Sequence, residues 1–179
     1  MTYRTIVADP PWPYKRGLPR WTADGVDNSD NLPYSTMSLE EIQGLPVEKQ
    51  VEDNAHLYLW TTGPFLERAP SVARAWGFTP STSLVWCKPP RGFCGRATYA
   101  PCTEFILFCR RGSLPALRPE YRNWWAWPRA AHSAKPDAFY DLVEQVSPGP
   151  YLELFARRQR LGWDTWGNEC FNHVEMAAK

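Results

Sequence analysis

Short, nearly unbroken apolar runs alternate along this chain with stretches of helical period and with polar loops. Residues 3–8 form the first run, and Asp9-Pro10-Pro11 ends it, because proline cannot donate to a strand ladder. Residues 13–34 have no period and are rich in polar groups, which predicts a long lid or binding loop. Ser38 and Glu41 stand at capping-box spacing, so a short helix is predicted from Leu39 to Gly44. Residues 55–61 read as a strand, and Pro64 opens a helix that closes at Gly77. Residues 82–87 and 104–109 are further strands, joined by a Gly/Pro/Arg loop over 89–101. Pro136 opens a helix to about Gln145 that carries Phe139, Leu142, Val143 and Val146 on one face. Ser147-Pro-Gly-Pro then turns the chain into a strand over 151–156. Strands alternate with helices and are apolar throughout, so the predicted fold is α/β, a sheet with helices on both faces.

The length of 179 residues fits one domain over 1–179 with one core. No apolar run reaches the length of a membrane span, and the first residues carry no signal-peptide pattern. The expectation is a cytoplasmic protein with no membrane partner. Five cysteines without a close Cys-x-x-Cys pair predict reduced thiols and no structural metal site. Charge changes the picture more. Residues 86–135 carry 9 Lys/Arg against 2 Asp/Glu, while the flanking segments are each net acidic by 3. That central segment could form a phosphate-binding face or an ordinary solvated basic surface. The cluster Trp124, Trp125, Trp127 is hard to bury as a group; base stacking or an apolar partner contact are its alternative uses.

Candidate chemistry sits at Asp9-Pro10-Pro11-Trp12, just after the first strand. Ligands of α/β sheets bind at the C-terminal ends of strands. A rigid turn there presents a carboxylate, a backbone carbonyl and a flat ring. Asp9 and the Pro10 carbonyl can accept the two N–H donors of an aromatic amine, with Trp12 stacked on its face. Such acceptors favour the nitrogen as it gains positive charge during attack, which lowers the barrier. Alone, four residues are also compatible with an ordinary strand-ending turn.

Further pieces follow in order: Leu32-Pro-Tyr-Ser-Thr-Met-Ser38, Leu57-Tyr-Leu-Trp-Thr-Thr-Gly63, Trp76-Gly-Phe78, Val85-Trp-Cys-Lys88, Glu104, His132-Ser-Ala-Lys-Pro136, Glu153-Leu-Phe-Ala-Arg157, Gly162-Trp163 and Trp166-Gly-Asn-Glu169. With Ala8-Asp-Pro-Pro-Trp12 they make the chain resemble the MT-A70 family of N(6)-adenine methyltransferases over roughly residues 5–169. The resemblance implies a Rossmann-like class I methyltransferase, a three-layer sandwich with permuted (β-class) motif order. It implies methyl transfer from S-adenosylmethionine, leaving S-adenosylhomocysteine, to the 6-amino group of adenine in nucleic acid, DNA ahead of RNA. Asp9, Pro10, Pro11 and Trp12 match the catalytic turn, and residues 13–34 its gate loop. Asp9, Lys135, Arg157, Gln159, Arg160, Asn168 and Glu169 match positions around the cofactor. Gln159 and Arg160 depart from the side chains of the eukaryotic members. Trp12, Tyr34 and Glu104 match positions near the target base, and His132 reads as structural.

Lys135 stands just before a helix, where an ammonium and a helix N-terminus together favour an anion such as the cofactor carboxylate. Arg110 and Arg111 are the candidates within the basic segment for holding the nucleic-acid backbone. A flipped-out base is expected if the substrate is duplex. The upstream segment that contacts the cofactor adenine in eukaryotic relatives is absent here, so that wall is expected from a partner chain or a distant loop. A homodimer or partner subunit is expected by family analogy. Two other readings stay open: a silent nucleic-acid-binding partner subunit, and a cytosine N(4)-methyltransferase.

Overall fold

A computed structural model describes residues 2–13, 20–22, 25–27, 36–89, 98–99, 101–128 and 135–176. The first apolar run builds β1 (Tyr3–Ala8), and a small antiparallel hairpin follows as β2 (Arg20–Thr22) and β3 (Gly25–Asp27). Helix α1 (Leu39–Gln43) starts where its capping box dictates: Ser38 Oγ accepts from the Glu41 amide, and Glu41 accepts from the Ser38 amide. A 3-10 turn (Val47–Gln50) leads into β4 (Val51–Thr61), four residues longer than the apolar run because its exposed start is polar.

After a second 3-10 turn (Gly63–Phe65), α2 spans only Ala69–Ala75. The predicted start at Pro64 is five residues early. Pro70 lacks an N–H and is tolerated only in a first turn, so the helix begins beside it. Then come β5 (Thr79–Cys87), β6 (Thr103–Arg111), β7 (Trp124–Trp125), α3 (Asp137–Val146), β8 (Tyr151–Leu154) and β9 (Trp163–Trp166). Strand β8 stops two residues before its predicted end, because Phe155 turns the chain at φ 60°. Strands β7 and β9 are too short to announce themselves by pattern.

The seven-stranded sheet has the order β7-β5-β6-β4-β1-β8-β9. Strands β1, β4, β8 and β9 pair in parallel, β6 runs against β4 and β5, and β7 follows β5. The C-terminal ends of β1, β4, β8, β9 and β5 therefore meet at one edge, with the start of β6. Alternation divides the core into two layers. Leu57 and Leu59 face α1 and α2 with Ile6, Trp12 and Trp76, whereas Tyr58 and Trp60 face α3 with Val7, Trp86 and Phe139. The α/β sandwich with helices on both faces is thus as predicted. Trp125 is buried and stacked on Trp127 at 5.3 Å, so of the tryptophan cluster only Trp124 remains well exposed.

One buried polar chain ties the α3 layer together. His56 is bonded through Nδ1 to Ser147 Oγ at 2.7 Å and through Nε2 to the Leu114 carbonyl at 3.1 Å. Because that carbonyl only accepts, Nε2 carries the proton and Nδ1 accepts from Ser147. Tyr58 completes the chain by donating to Ser147 Oγ at 2.7 Å. Burial holds His56 below its usual pKa of 6.5, and Arg110 adds to this against the Leu114 bond.

Two outcomes follow from this packing. Phe139 is fully buried among the rings of Tyr58, Trp60, Trp127 and Tyr140. Phe139→Ala should cost about 3–5 kcal/mol of stability in urea denaturation. For His56, the unfolded state binds the extra proton, so its contribution is complete above pH 6.5 and falls as pH drops through that value. Comparing urea midpoints between neutral and acidic pH, His56→Gln should be less stable at neutral pH but lose less on acidification than the wild type.

Candidate active site

Strand β1 delivers Asp9 to the edge where the parallel strands end. The two prolines hold the following turn rigid. Pro10 O accepts the Trp12 amide at 2.8 Å, and Pro11 O accepts the Met37 amide at 2.9 Å. A carbonyl has two lone pairs, so Pro10 O keeps one for a further donor.

Beside this turn, Lys135 Nζ lies 3.3 Å from Asp9 Oδ2 and 3.0 Å from Glu153 Oε1. The Tyr140 hydroxyl donates to the same Glu153 oxygen at 2.7 Å. Lys135 comes from the segment that enters α3, Tyr140 from the first turn of that helix, and Glu153 from the middle of β8. Glu153 is 3% exposed, and these two partners satisfy its Oε1. Burial opposes the charge on Lys135, but the carboxylates of Asp9 and Glu153 outweigh it and hold the ammonium above the usual lysine range. Burial likewise keeps the Tyr140 hydroxyl protonated, with the Glu153 carboxylate adding to it against Lys135. Two carboxylates and one ammonium leave the cluster with an excess negative charge.

The ends of β8 and β9 stand next to this cluster. Their junction is close: Ala156 N donates to Trp166 O at 3.0 Å, and a Cβ on Gly167 would collide with the Ala156 carbonyl. That packing brings Arg157, Asn168 and Glu169, all exposed, to the same edge as Asp9 and Lys135. Gln159 is exposed in the segment descending from it. On the other side, Lys88 pairs with Glu104 at the end of β5 and the start of β6, with Nζ 4.4 Å from the Trp86 ring centre.

Other predicted site residues are placed away from this cluster or engaged elsewhere. Trp12 is 3% exposed and stacked on Phe65 at 5.4 Å, with Nε1 bonded to the Trp60 carbonyl at 3.1 Å. Its ring is a core wedge that fixes the turn. Arg160 bonds Glu144 at 3.0 Å and Asp141 at 2.7 Å on the outer side of α3, so its guanidinium is turned from the site. Arg110 and Arg111 end β6 at the opposite edge of the sheet, because that strand runs against β4. There Arg110 donates to the Leu114 carbonyl at 3.1 Å, and Arg111 lies 3.5 Å from Glu48. Tyr34, His132 and most of residues 13–34 lie outside the described residues.

Sequence reasoning assigns no role to Glu153, Tyr140 or Lys88. A signal is present for the first: Glu153 is the one charged side chain within an otherwise apolar strand. Among the described residues no group of His, Cys, Asp and Glu could hold a metal ion, and no helix is long and apolar enough to cross a membrane.

Comparison with known proteins covers the segments that build this edge. A family model described as MT-A70 matches residues 3–93 and 121–169, which include the Asp9 turn, Lys135 and Glu153. A type II methyltransferase, M.MunI, of a Mycoplasma species is 34% identical over 97% of this chain and 81% of its own length. The human N(6)-adenine-specific methyltransferase METTL4 is 32% identical over 97% of this chain. An N(6)-adenosine-methyltransferase MT-A70-like protein of Drosophila melanogaster is 27% identical over 93% of it. The chain spans 39% of the human relative and 27% of the fly relative. From the ordered motifs, the sheet they build and the matched residues together, the chain belongs to the MT-A70 family.

Proposed function

We propose that this protein transfers a methyl group from S-adenosylmethionine to the 6-amino group of adenine in nucleic acid, with DNA preferred to RNA. The observation that carries the reading is the 3.3 Å contact between Lys135 and Asp9 at the strand-end edge. Relatives named as adenine or adenosine N(6)-methyltransferases support the reaction. The similarity to a type II methyltransferase over most of both chains supports DNA.

The residues present fit the cofactor. Its methionine end carries a carboxylate, for which Lys135 supplies a buried ammonium. It also carries positive charge, for which the excess negative charge of Asp9 and Glu153 is the complement. Arg157, Asn168 and Glu169 offer exposed polar groups at the neighbouring strand ends for its nucleoside. When bound, it supplies an electrophilic methyl group on sulfur.

Catalysis then falls to positioning and charge. Asp9 Oδ and the free lone pair of Pro10 O are the acceptors for the two amine hydrogens of the base. They hold its nitrogen towards the methyl and stabilise the positive charge that grows on it. Trp12, wedged against Phe65, keeps the turn from moving. Glu153 and Tyr140 position Lys135 and so act through it. Glu104 is a further polar group at the same edge for the base, with Lys88 as its partner.

Two measurements test the reading. Incubation with labelled cofactor and separate DNA and RNA pools, followed by nucleoside mass spectrometry, should yield N(6)-methyladenine, chiefly in the DNA pool. Asp9→Ala should lower kcat about 10²–10³-fold while the circular dichroism spectrum is kept. Absence of methyladenine from both pools would overturn the proposal. Second, Tyr140→Phe should raise the cofactor KM about three- to tenfold with a smaller change in kcat, since it loosens a charge-assisted bond outside the reacting groups. Steady-state kinetics at varied cofactor concentration reads this split directly.

A further inference from the structure

A groove of about 480 Å³ opens on the α3 side of the sheet, well below the catalytic edge. Phe108, Leu84, Trp125 and Leu142 give it an apolar floor. Its rim is of another kind. Arg110 and Arg122 bring two guanidinium groups, and Glu120 lies 3.5 Å from Arg122. Tyr121 lies on the lip and is 95% exposed. Arg110 spends one donor on the Leu114 carbonyl, which leaves most of its fork available.

The volume is in the range of small-molecule sites. A ligand that satisfies this surface has a flat, largely apolar body and carries an anion. The body meets the floor and the Tyr121 ring, and the anion meets the guanidinium forks. A nucleotide has that chemistry. Thr82 and Phe108, ladder partners that line the groove, lie five residues down β5 from Cys87, which places it about 17 Å from the catalytic edge along the strand. A nucleotide there is therefore not the one whose base is methylated. At about 3.4 Å per step, it is roughly five steps away along the same strand.

On the footing of the proposed function, we propose that this groove holds a nucleotide of the substrate strand flanking the target adenine. Arg110 and Arg122 take its phosphate, and Tyr121 stacks on its base. The groove thereby lengthens the footprint of a chain whose reaction needs only one base.

Fluorescence anisotropy with labelled single strands, in the presence of S-adenosylhomocysteine, tests this. From a central adenine, a twenty-nucleotide strand reaches the groove, and a five-nucleotide strand, with two steps on either side, does not. The double variant Tyr121→Ala/Arg122→Ala should weaken binding of the long strand about tenfold and reduce its logarithmic salt slope by about one, with the short strand unaffected. Thr82→Trp fills the groove without changing charge; it should weaken the long strand similarly and leave the salt slope unchanged. Wild-type affinity for the long strand in both variants would overturn the assignment. So would variants that alter only the sedimentation coefficient, which would make the groove a protein interface. Adenosine monophosphate that binds the wild type while strand binding ignores both variants would make it a free-nucleotide site and would equally overturn the assignment. If the wild type binds neither strand, the groove assignment falls, while the labelled-cofactor assay decides the proposed function separately.

Discussion

The ammonium of Lys135 between two carboxylates is the constraint on which the active edge of this protein depends. Each partner comes from a different element: Asp9 from the end of β1, Glu153 from within β8, and Lys135 from the entry to α3. A buried carboxylate without its partner would carry a desolvation penalty of several kcal/mol, so these three elements are not free to drift apart. Tyr140 extends the same constraint into α3, because its hydroxyl needs Glu153 as much as Glu153 needs a donor. Buried ion pairs add little net stability compared with apolar packing. Here the arrangement fixes geometry, and it leaves an excess of carboxylate over ammonium at the strand-end edge.

Much of this is legible in the sequence. The apolar runs locate the longer strands, the capping box locates α1, and the proline pair after Asp9 puts that turn at a strand end. What pattern cannot supply is direction. Nothing in residues 103–111 says that this strand runs against its neighbours, yet that reversal carries Arg110 and Arg111 to the edge opposite Asp9. Trp12 departs from expectation for a related reason. Its place in the motif suggests a ring facing the base, but the tight Pro10–Trp12 bond turns the side chain into the core against Phe65. Arg160 shows the same limit, since Glu144 and Asp141 become its partners only once β8 has crossed beneath α3. Glu153, by contrast, is visible as a charge in an apolar strand, and its partner is eighteen residues away in sequence.

The heavy use of tryptophan has a geometric cause. Seven strands at about 4.8 Å spacing make a sheet roughly 29 Å wide, whereas one helix with its side chains covers about 10–12 Å. On the α3 face, α3 is the single helix among the described residues. The width it leaves is filled by large rings: Trp60, Trp86, Trp125 and Trp163 are all buried there, joined by Tyr58 and Phe139. Edge-to-face contacts from Trp86 through Trp60 and Phe139 to Tyr140 carry this packing from β5 to the residue that holds Glu153. The aromatic layer is therefore both the cover of the sheet and the support of the charged cluster.

That cover runs out at one place. Where α3 ends at Val146, the segment from Leu114 to Asn123 must roof the lower parts of β5 and β6 without a helix of its own. It is pinned at Leu114, whose carbonyl accepts from both His56 and Arg110, and at Asn123, whose side chain donates to the Ser83 carbonyl. Between these pins the roof spans the floor without filling it, and the groove is what remains. A gap of this kind in a single-helix layer would be closed by apolar side chains if it served only stability. Instead its rim carries two guanidinium groups and an exposed tyrosine, side chains that gain little from a dry neighbour and much from a phosphate and a base.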